Sequence, residues 1–157
     1  RCPPALIQAL VATRRARAQL LVFVPKRALV APLTTALREA GIERVAGVHS
    51  GSKERDAVRQ AFSSGALEAV VATTIFERGL TFPNANVAVF AADAARVFTP
   101  AALVQMSGRV GRTIERPSGS VWLICERETA FVRQAVADIN ALNSIARRRG
   151  LLARQAT

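Results

Sequence analysis

Continuous apolar runs alternate with amphipathic segments along this chain of 157 residues. The run 20–24 contains no polar position, which is typical of a strand covered on both faces of a parallel sheet. The segment 28–40 instead carries a leucine every fourth residue, at Leu29, Leu33 and Leu37, which predicts a helix. Further strands are predicted at 45–48, 69–72, 87–90 and 120–125. Further helices are predicted after Pro3, after Ser52 as N-cap, after Thr99, and over 128–148.

This alternation of strands and helices predicts one three-layer α/β sandwich, with a mostly parallel sheet between two layers of helices. In such sheets, ligands gather at the carboxyl ends of the strands. Polar residues follow three of the predicted strands: Lys26, then 49–51, then Thr73 and Thr74. We therefore expect these residues to share one edge of the sheet.

The net charge of the chain predicts the chemical class of its binding partner. The chain has 22 Lys and Arg against 11 Asp and Glu, a net charge of +11, which favours a polyanion such as nucleic acid. Cys2 and Cys125 are far apart, and His49 has no partner at metal-ligand spacing, so no metal site is predicted. No apolar run approaches the ~20 residues of a membrane span, and a cytoplasmic protein is expected.

Because the chain begins at Arg1, we expect a fragment of a longer protein.

The most specific motif is Gln-x-x-Gly-Arg-x-Gly-Arg, formed by Gln105, Gly108, Arg109, Gly111 and Arg112. Residues three apart share a helix face, so the two guanidinium groups can point the same way. Each glycine removes a side chain beside an arginine, which lets a ligand or a facing domain approach. The planar arginine fork matches phosphate oxygens. The pattern indicates a polyphosphate held partly by this chain; a solvated helix end is the plainer interpretation of an isolated Arg-x-x-Arg pair.

This motif resembles motif VI of superfamily 2 helicases, and a second motif supports the resemblance. The stretch from Thr73 to Pro83 resembles helicase motif V: Thr73 and Thr74 follow a strand, and Gly79 permits a tight turn. The resemblance implies that Thr73 and Thr74 face the nucleic-acid backbone, and that Gly79 and Thr81 lie near the nucleotide. Many DEAD-box proteins have aspartate where Thr81 stands, so a ribose contact there is not implied.

Two further segments resemble the nucleic-acid track of these enzymes. The residues Phe23 to Lys26 look like motif IV, with Phe23 in the core and Lys26 within reach of a phosphate. The segment after the second strand implies backbone contacts by Ser50, Gly51 and Arg55, because exposed amides at a helix start favour an anion.

The sequence also lacks half of a helicase site. It contains no G-x-x-x-x-G-K-[ST] loop and no Asp-Glu pair behind an apolar strand to hold Mg²⁺. The resemblance therefore implies a C-terminal RecA-like domain, with residues 1–157 forming that single domain. ATP and Mg²⁺ would be held mainly by a missing N-terminal RecA-like half. Arg112 would be the arginine finger on the γ-phosphate, with Arg109 beside it, and Gln105 would position that phosphate.

The last third of the chain narrows the resemblance to the late competence protein ComFA family, which is implicated in drawing single-stranded DNA into the cell. The residues that carry it are 108–113, 116–121 and 139–143. It implies single-stranded DNA as a partner, and competence or DNA-uptake proteins at the membrane. Three alternatives stay open: a primosomal PriA-type helicase, half of an RNA helicase, and a basic module that binds DNA or docks a partner without catalysis.

Overall fold

The computed structural model of the chain describes residues 2–73, 82, 84–108 and 119–148, with residues 146 and 147 described by their backbone alone. The strands are β1 Gln19–Val24, β2 Val45–Val48, β3 Ala69–Thr73, β4 Ala85–Phe90 and β5 Val121–Ile124. The helices are α1 Pro4–Arg15, α2 Val30–Glu39, α3 Arg55–Ser63, α4 Pro100–Ser107 and α5 Ala130–Arg148, with a 3₁₀ turn Arg27–Leu29 before α2.

The five strands form one sheet in the order β2-β3-β1-β4-β5, and every strand pair in the described residues is parallel. Helices cover both faces of this sheet. One face packs against α1 and α2 through residues such as Leu6, Leu10 and Leu37. The other face packs against α3, α4 and α5, with Phe62 and Met106 fully buried between layers. The predicted three-layer α/β sandwich is thus confirmed.

Most element boundaries follow the sequence pattern, but the start of α3 does not. Ser52 was the predicted N-cap, whereas the helix begins at Arg55 with Glu54 in the cap position and no side-chain cap. The Ser52 hydroxyl accepts a hydrogen bond from the His49 amide at 2.9 Å instead, and the Ser52 amide donates to the His49 carbonyl at 3.0 Å. The prediction of the cap was wrong because this serine closes the turn after β2.

A buried asparagine ties three elements together at the amino edge of the sheet. Asn86 on β4 is 1 % exposed; its Nδ2 donates to Thr13 Oγ1 in α1 at 3.1 Å. Its Oδ1 accepts from the backbone amide of Ser120, directly before β5, at 3.0 Å. Because buried polar groups are costly when unpaired, these two bonds fix how α1 and the start of β5 meet β4.

Helix α1 ends with a non-glycine residue in the left-handed region. Arg17 has φ 52°, its amide donates to the Arg14 carbonyl, and the amide of Ala18 donates to the Thr13 carbonyl, both at 3.0 Å. This is the Schellman pattern, whose left-handed position favours glycine. Helix α2 meets that preference, because Gly41 with φ 92° follows its last turn.

Helix α2 lies unusually close to the edge strand β2. A Cβ placed on Gly47 would meet Thr34 Oγ1 at 2.5 Å and Val30 Cγ1 at 2.7 Å, both on α2. The missing side chain of Gly47 therefore sets the spacing between α2 and β2.

Candidate functional site

Strand register brings the predicted polar residues to one edge. Val24, the last residue of β1, pairs with Thr73, the last residue of β3, and Val48 at the end of β2 pairs with Ala72. His49 therefore follows at the level of Thr73 and Val24. Neighbouring strands are about 4.8 Å apart, so the three strand ends lie within about 10 Å. The expectation that these segments share the carboxyl edge is met by the described residues.

The predicted contact residues at this edge differ in exposure. Lys26, Ser50 and Gly51 are exposed, and Thr73 is half-buried at the end of β3. Arg55 is half-buried at the start of α3, and its Nε is buried without a hydrogen-bond partner among the residues that the structure describes. The cationic and amide groups that can face an anion are thus on β1 and β2, flanked by α3.

The turn after β2 is rigidly built. The Gly51 amide donates to His49 Nδ1 at 3.1 Å, and the His49 amide donates to the Ser52 hydroxyl. A neutral imidazole that accepts at Nδ1 carries its proton on Nε2, which makes His49 a hydrogen-bond donor. The turn therefore holds a ring N–H donor beside the exposed residues Ser50 and Gly51.

Sequence reasoning missed Arg27 at this site. Arg27 is exposed and begins the 3₁₀ turn after β1; its Nη1 would lie 3.6 Å from a Cβ placed on Gly51. The guanidinium group therefore stands over the turn of β2, next to His49. The sequence carries a signal for this residue, because Arg27 follows Lys26 directly at the strand end.

Gln105 belongs to a different element from these strand ends. It is exposed on α4, whose neighbours Leu103 and Met106 are fully buried against the sheet. The helix is capped by Thr99, whose Oγ1 accepts from the amide of Ala102 at 3.1 Å. No hydrogen bond joins Gln105 to the edge residues within the described part of the chain. The predicted positions Thr74, Gly79, Thr81, Arg109 and Arg112 lie outside the described residues.

Two absences hold for the residues that the structure describes. There, no group of three or more His, Cys, Asp or Glu side chains could hold a metal ion. Nor does any helix in that part of the chain combine the length and apolar character needed to cross a bilayer.

Comparison with known proteins decides the family. The helicase conserved C-terminal domain family matches residues 3–114, from the start of α1 to beyond α4 and through the paired arginines. The chain belongs to this helicase family. It is the RecA-like C-terminal domain of a superfamily 2 helicase, as the motifs indicated.

Curated relatives of this helicase domain include competence and DNA-helicase proteins. Competence protein ComFA of Streptococcus pneumoniae is 38% identical over 101 residues, covering 64% of this chain and 23% of that protein. ComFA of Bacillus subtilis is 37% identical over 103 residues, covering 66% and 22%. The ATP-dependent DNA helicase RecG of Acidithiobacillus ferridurans is 35% identical over 100 residues, covering 64% and 14%. The matched region spans less than a quarter of each relative.

Solved helicases share the fold. Helicase Lhr of Mycobacterium smegmatis, solved with single-stranded DNA and AMP-PNP, superimposes with a TM-score of 0.67 at 25% identity, covering 83% of this chain and 18% of Lhr. The C-terminal domain of the DEAD-box protein Dbp5 gives a TM-score of 0.61 at 19% identity, covering 92% of this chain and 82% of that domain.

Proposed function

We propose that this domain is the second half of an ATP-dependent DNA translocase or helicase, and that its carboxyl edge carries part of the single-stranded DNA track. The observation that supports this most is the convergence of Lys26, the 49–51 turn and Thr73 at one edge. Amide and hydroxyl groups beside cations suit the phosphate backbone of a nucleic acid. They donate hydrogen bonds to phosphate oxygens while the cations neutralise the phosphate charge.

The track would use the residues on both sides of that edge. Lys26 contributes charge just beyond the end of β1, and Ser50 contributes a hydroxyl group from the turn after β2. Gly51, whose amide is bonded to His49 Nδ1, has no side chain and so lets the DNA backbone approach this turn. Arg55 contributes a guanidinium group from α3. Thr73 continues the track at the end of β3, and Thr74 would extend it. These contacts are independent of base identity, so they position the strand without reading its sequence.

The chemistry would be phosphoryl transfer from ATP to water in a cleft shared with an N-terminal half. That half would hold the ATP phosphates and Mg²⁺, while Arg112 and Arg109 supply positive charge to the transition state. An arginine finger accelerates such reactions by about 10³–10⁵, which corresponds to about 4–7 kcal/mol of barrier. Gln105 would position the γ-phosphate, and Gly79 and Thr81 would lie beside the nucleotide. The domain by itself would not hydrolyse ATP.

DNA is favoured over RNA by the sequence relatives. Two of them are ComFA proteins and one is a DNA helicase, at 35–38% identity. The Dbp5 structures bound to RNA are 18–20% identical, a level that speaks for the fold alone. We therefore assign the domain to a ComFA-like protein that moves single-stranded DNA during natural transformation, with DNA-uptake proteins at the membrane as partners.

The steady-state ATPase activity of the full-length protein tests this proposal. The assay compares single-stranded DNA with single-stranded RNA of the same length as activators. We expect stronger activation by DNA, and we expect Lys26→Ala to raise the DNA concentration needed for half-activation while kcat is kept. Arg15→Ala is the matched control, because Arg15 is exposed at the end of α1, before β1 begins at the opposite edge. An ATPase activity that neither DNA nor RNA stimulates would contradict the proposal.

A further inference from the structure

A basic groove opens from the carboxyl edge along the outer flank of α2. It has a volume of about 520 Å³ and runs between α2 and the edge strand β2. Its polar lining comes from Arg27, Thr34, Thr35, Arg38 and His49, and the rest of its lining is glycine, alanine or valine. None of the described residues that line it is acidic.

The groove begins where the proposed DNA track ends. The strand β2 is the outermost of the sheet on the side of β1 and β3. Single-stranded DNA that crosses from Lys26 to Ser50 therefore reaches the lateral edge of the sheet at β2. Arg27 and His49 lie both at the carboxyl edge of the sheet and at the mouth of the groove. The carboxyl edge and the groove are therefore continuous, with the positive charge of Arg27 at their junction.

Arg38 is held in place at the far end. Its Nη2 donates to the Val45 carbonyl on β2 at 3.1 Å, which uses one of five guanidinium N–H groups. The other N–H groups of this guanidinium remain as donors for an anion. From Arg27 to Arg38 the helical segment rises about 17 Å, at about 1.5 Å per residue. Two cations on different turns of one helical segment, with threonine hydroxyl groups between them, suit a repeating anion better than a single ion.

We propose that this groove, and Thr35 and Arg38 in particular, binds phosphodiesters of the single strand after it passes β2. The DNA then turns off the carboxyl edge and follows α2 down the flank of the domain. This inference rests on the proposed function, because it extends the same DNA track.

The test introduces a negative or a positive charge at Thr35, which is exposed on α2 and therefore tolerates substitution. Fluorescence anisotropy of labelled oligothymidylates measures binding to the full-length protein carrying Thr35→Glu or Thr35→Lys. A charge near a bound phosphate should change affinity about three- to tenfold at low salt, weaker for glutamate and tighter for lysine. The effect should fade as salt rises, and should be absent for an oligonucleotide too short to leave the edge.

Gln8→Glu and Gln8→Lys give the matched control, because Gln8 is exposed on α1, outside the groove. If the Thr35 pair shifts affinity no more than the Gln8 pair, the groove does not carry DNA. In that case a loss of affinity in Lys26→Ala would leave the proposed function standing. If the unaltered protein fails to bind the oligonucleotide at all, the proposed function fails together with this inference.

Discussion

Replacing Gly47 with alanine should push α2 away from the β2 edge. The added methyl group would stand 2.5 Å from Thr34 Oγ1 and 2.7 Å from Val30 Cγ1. Neither neighbour can yield easily. Both are buried β-branched side chains with restricted χ1, and the Thr34 hydroxyl donates to the Val30 carbonyl at 2.7 Å. The clash is therefore relieved by moving α2 and the edge strand β2 apart.

Gly47 itself is exposed, but its added methyl group would be forced against the buried side chains of Val30 and Thr34, so the cost of overpacking gives the magnitude. Inserting one methyl group into a well-packed site costs about 1–3 kcal/mol, and here two contacts must open by almost 1 Å. We expect Gly47→Ala to lower the free energy of unfolding by about 2 kcal/mol. For a domain of this size, that loss corresponds to a fall in Tm of about 4–8 °C.

Urea unfolding followed by circular dichroism measures this difference by linear extrapolation. Gly51→Ala is the matched control, since a Cβ there meets its neighbours at 3.5–3.6 Å, which is ordinary contact. The control should remain within about 0.5 kcal/mol of the unaltered protein. Adding Val30→Ala to Gly47→Ala should cost less than the sum of the two single changes, because the smaller side chain removes half of the clash. A Gly47→Ala variant as stable as Gly51→Ala, or strict additivity with Val30→Ala, would refute this account of the α2–β2 spacing.

Three other predictions concern the C-terminal ends of two helices, a buried asparagine and a cysteine thiol. Arg17→Gly should raise the free energy of unfolding by about 0.5–1 kcal/mol in urea titration, because φ 52° is unfavourable for an L-residue; Gly41→Ala should lower it. Asn86→Ala should cost about 2–3 kcal/mol in the same titration and Thr13→Val clearly less, because only Asn86 also holds the Ser120 amide. Burial, followed by two neighbouring carboxylates, raises the pKa of the Cys125 thiol. Its alkylation by iodoacetamide, followed by mass spectrometry, should therefore be slower than that of a free thiol at pH 8, and should accelerate at higher pH.

The fold was predictable because both periodicities are strong. The run 20–24 is buried at every position, and Leu33 and Leu37 face the core as their spacing predicted. The parallel pairing of the strands then follows from the alternation of strands and helices along the chain. The start of α3 was not predictable from capping preference, because a turn competed for the Ser52 hydroxyl.

The site was predictable only as a set of strand ends. Lys26, Ser50, Gly51 and Thr73 converge because parallel strands end at one edge, which needs no knowledge of contacts. The place of Arg27 over the 49–51 turn depends on how α2 packs against β2. That packing is set by Gly47, whose role is visible in three dimensions and not in the order of residues.

The most direct test of the central claim is the kcat of the nucleic-acid-stimulated ATPase in the full-length protein carrying Arg112→Ala. The arginine-finger account predicts a fall of about 10³–10⁵ in kcat, with affinity for single-stranded DNA retained. Arg116→Ala, four residues further along the same segment, serves as the matched control and should keep kcat. A kcat for Arg112→Ala within tenfold of the unaltered protein would contradict the claim that this domain supplies catalytic charge to ATP.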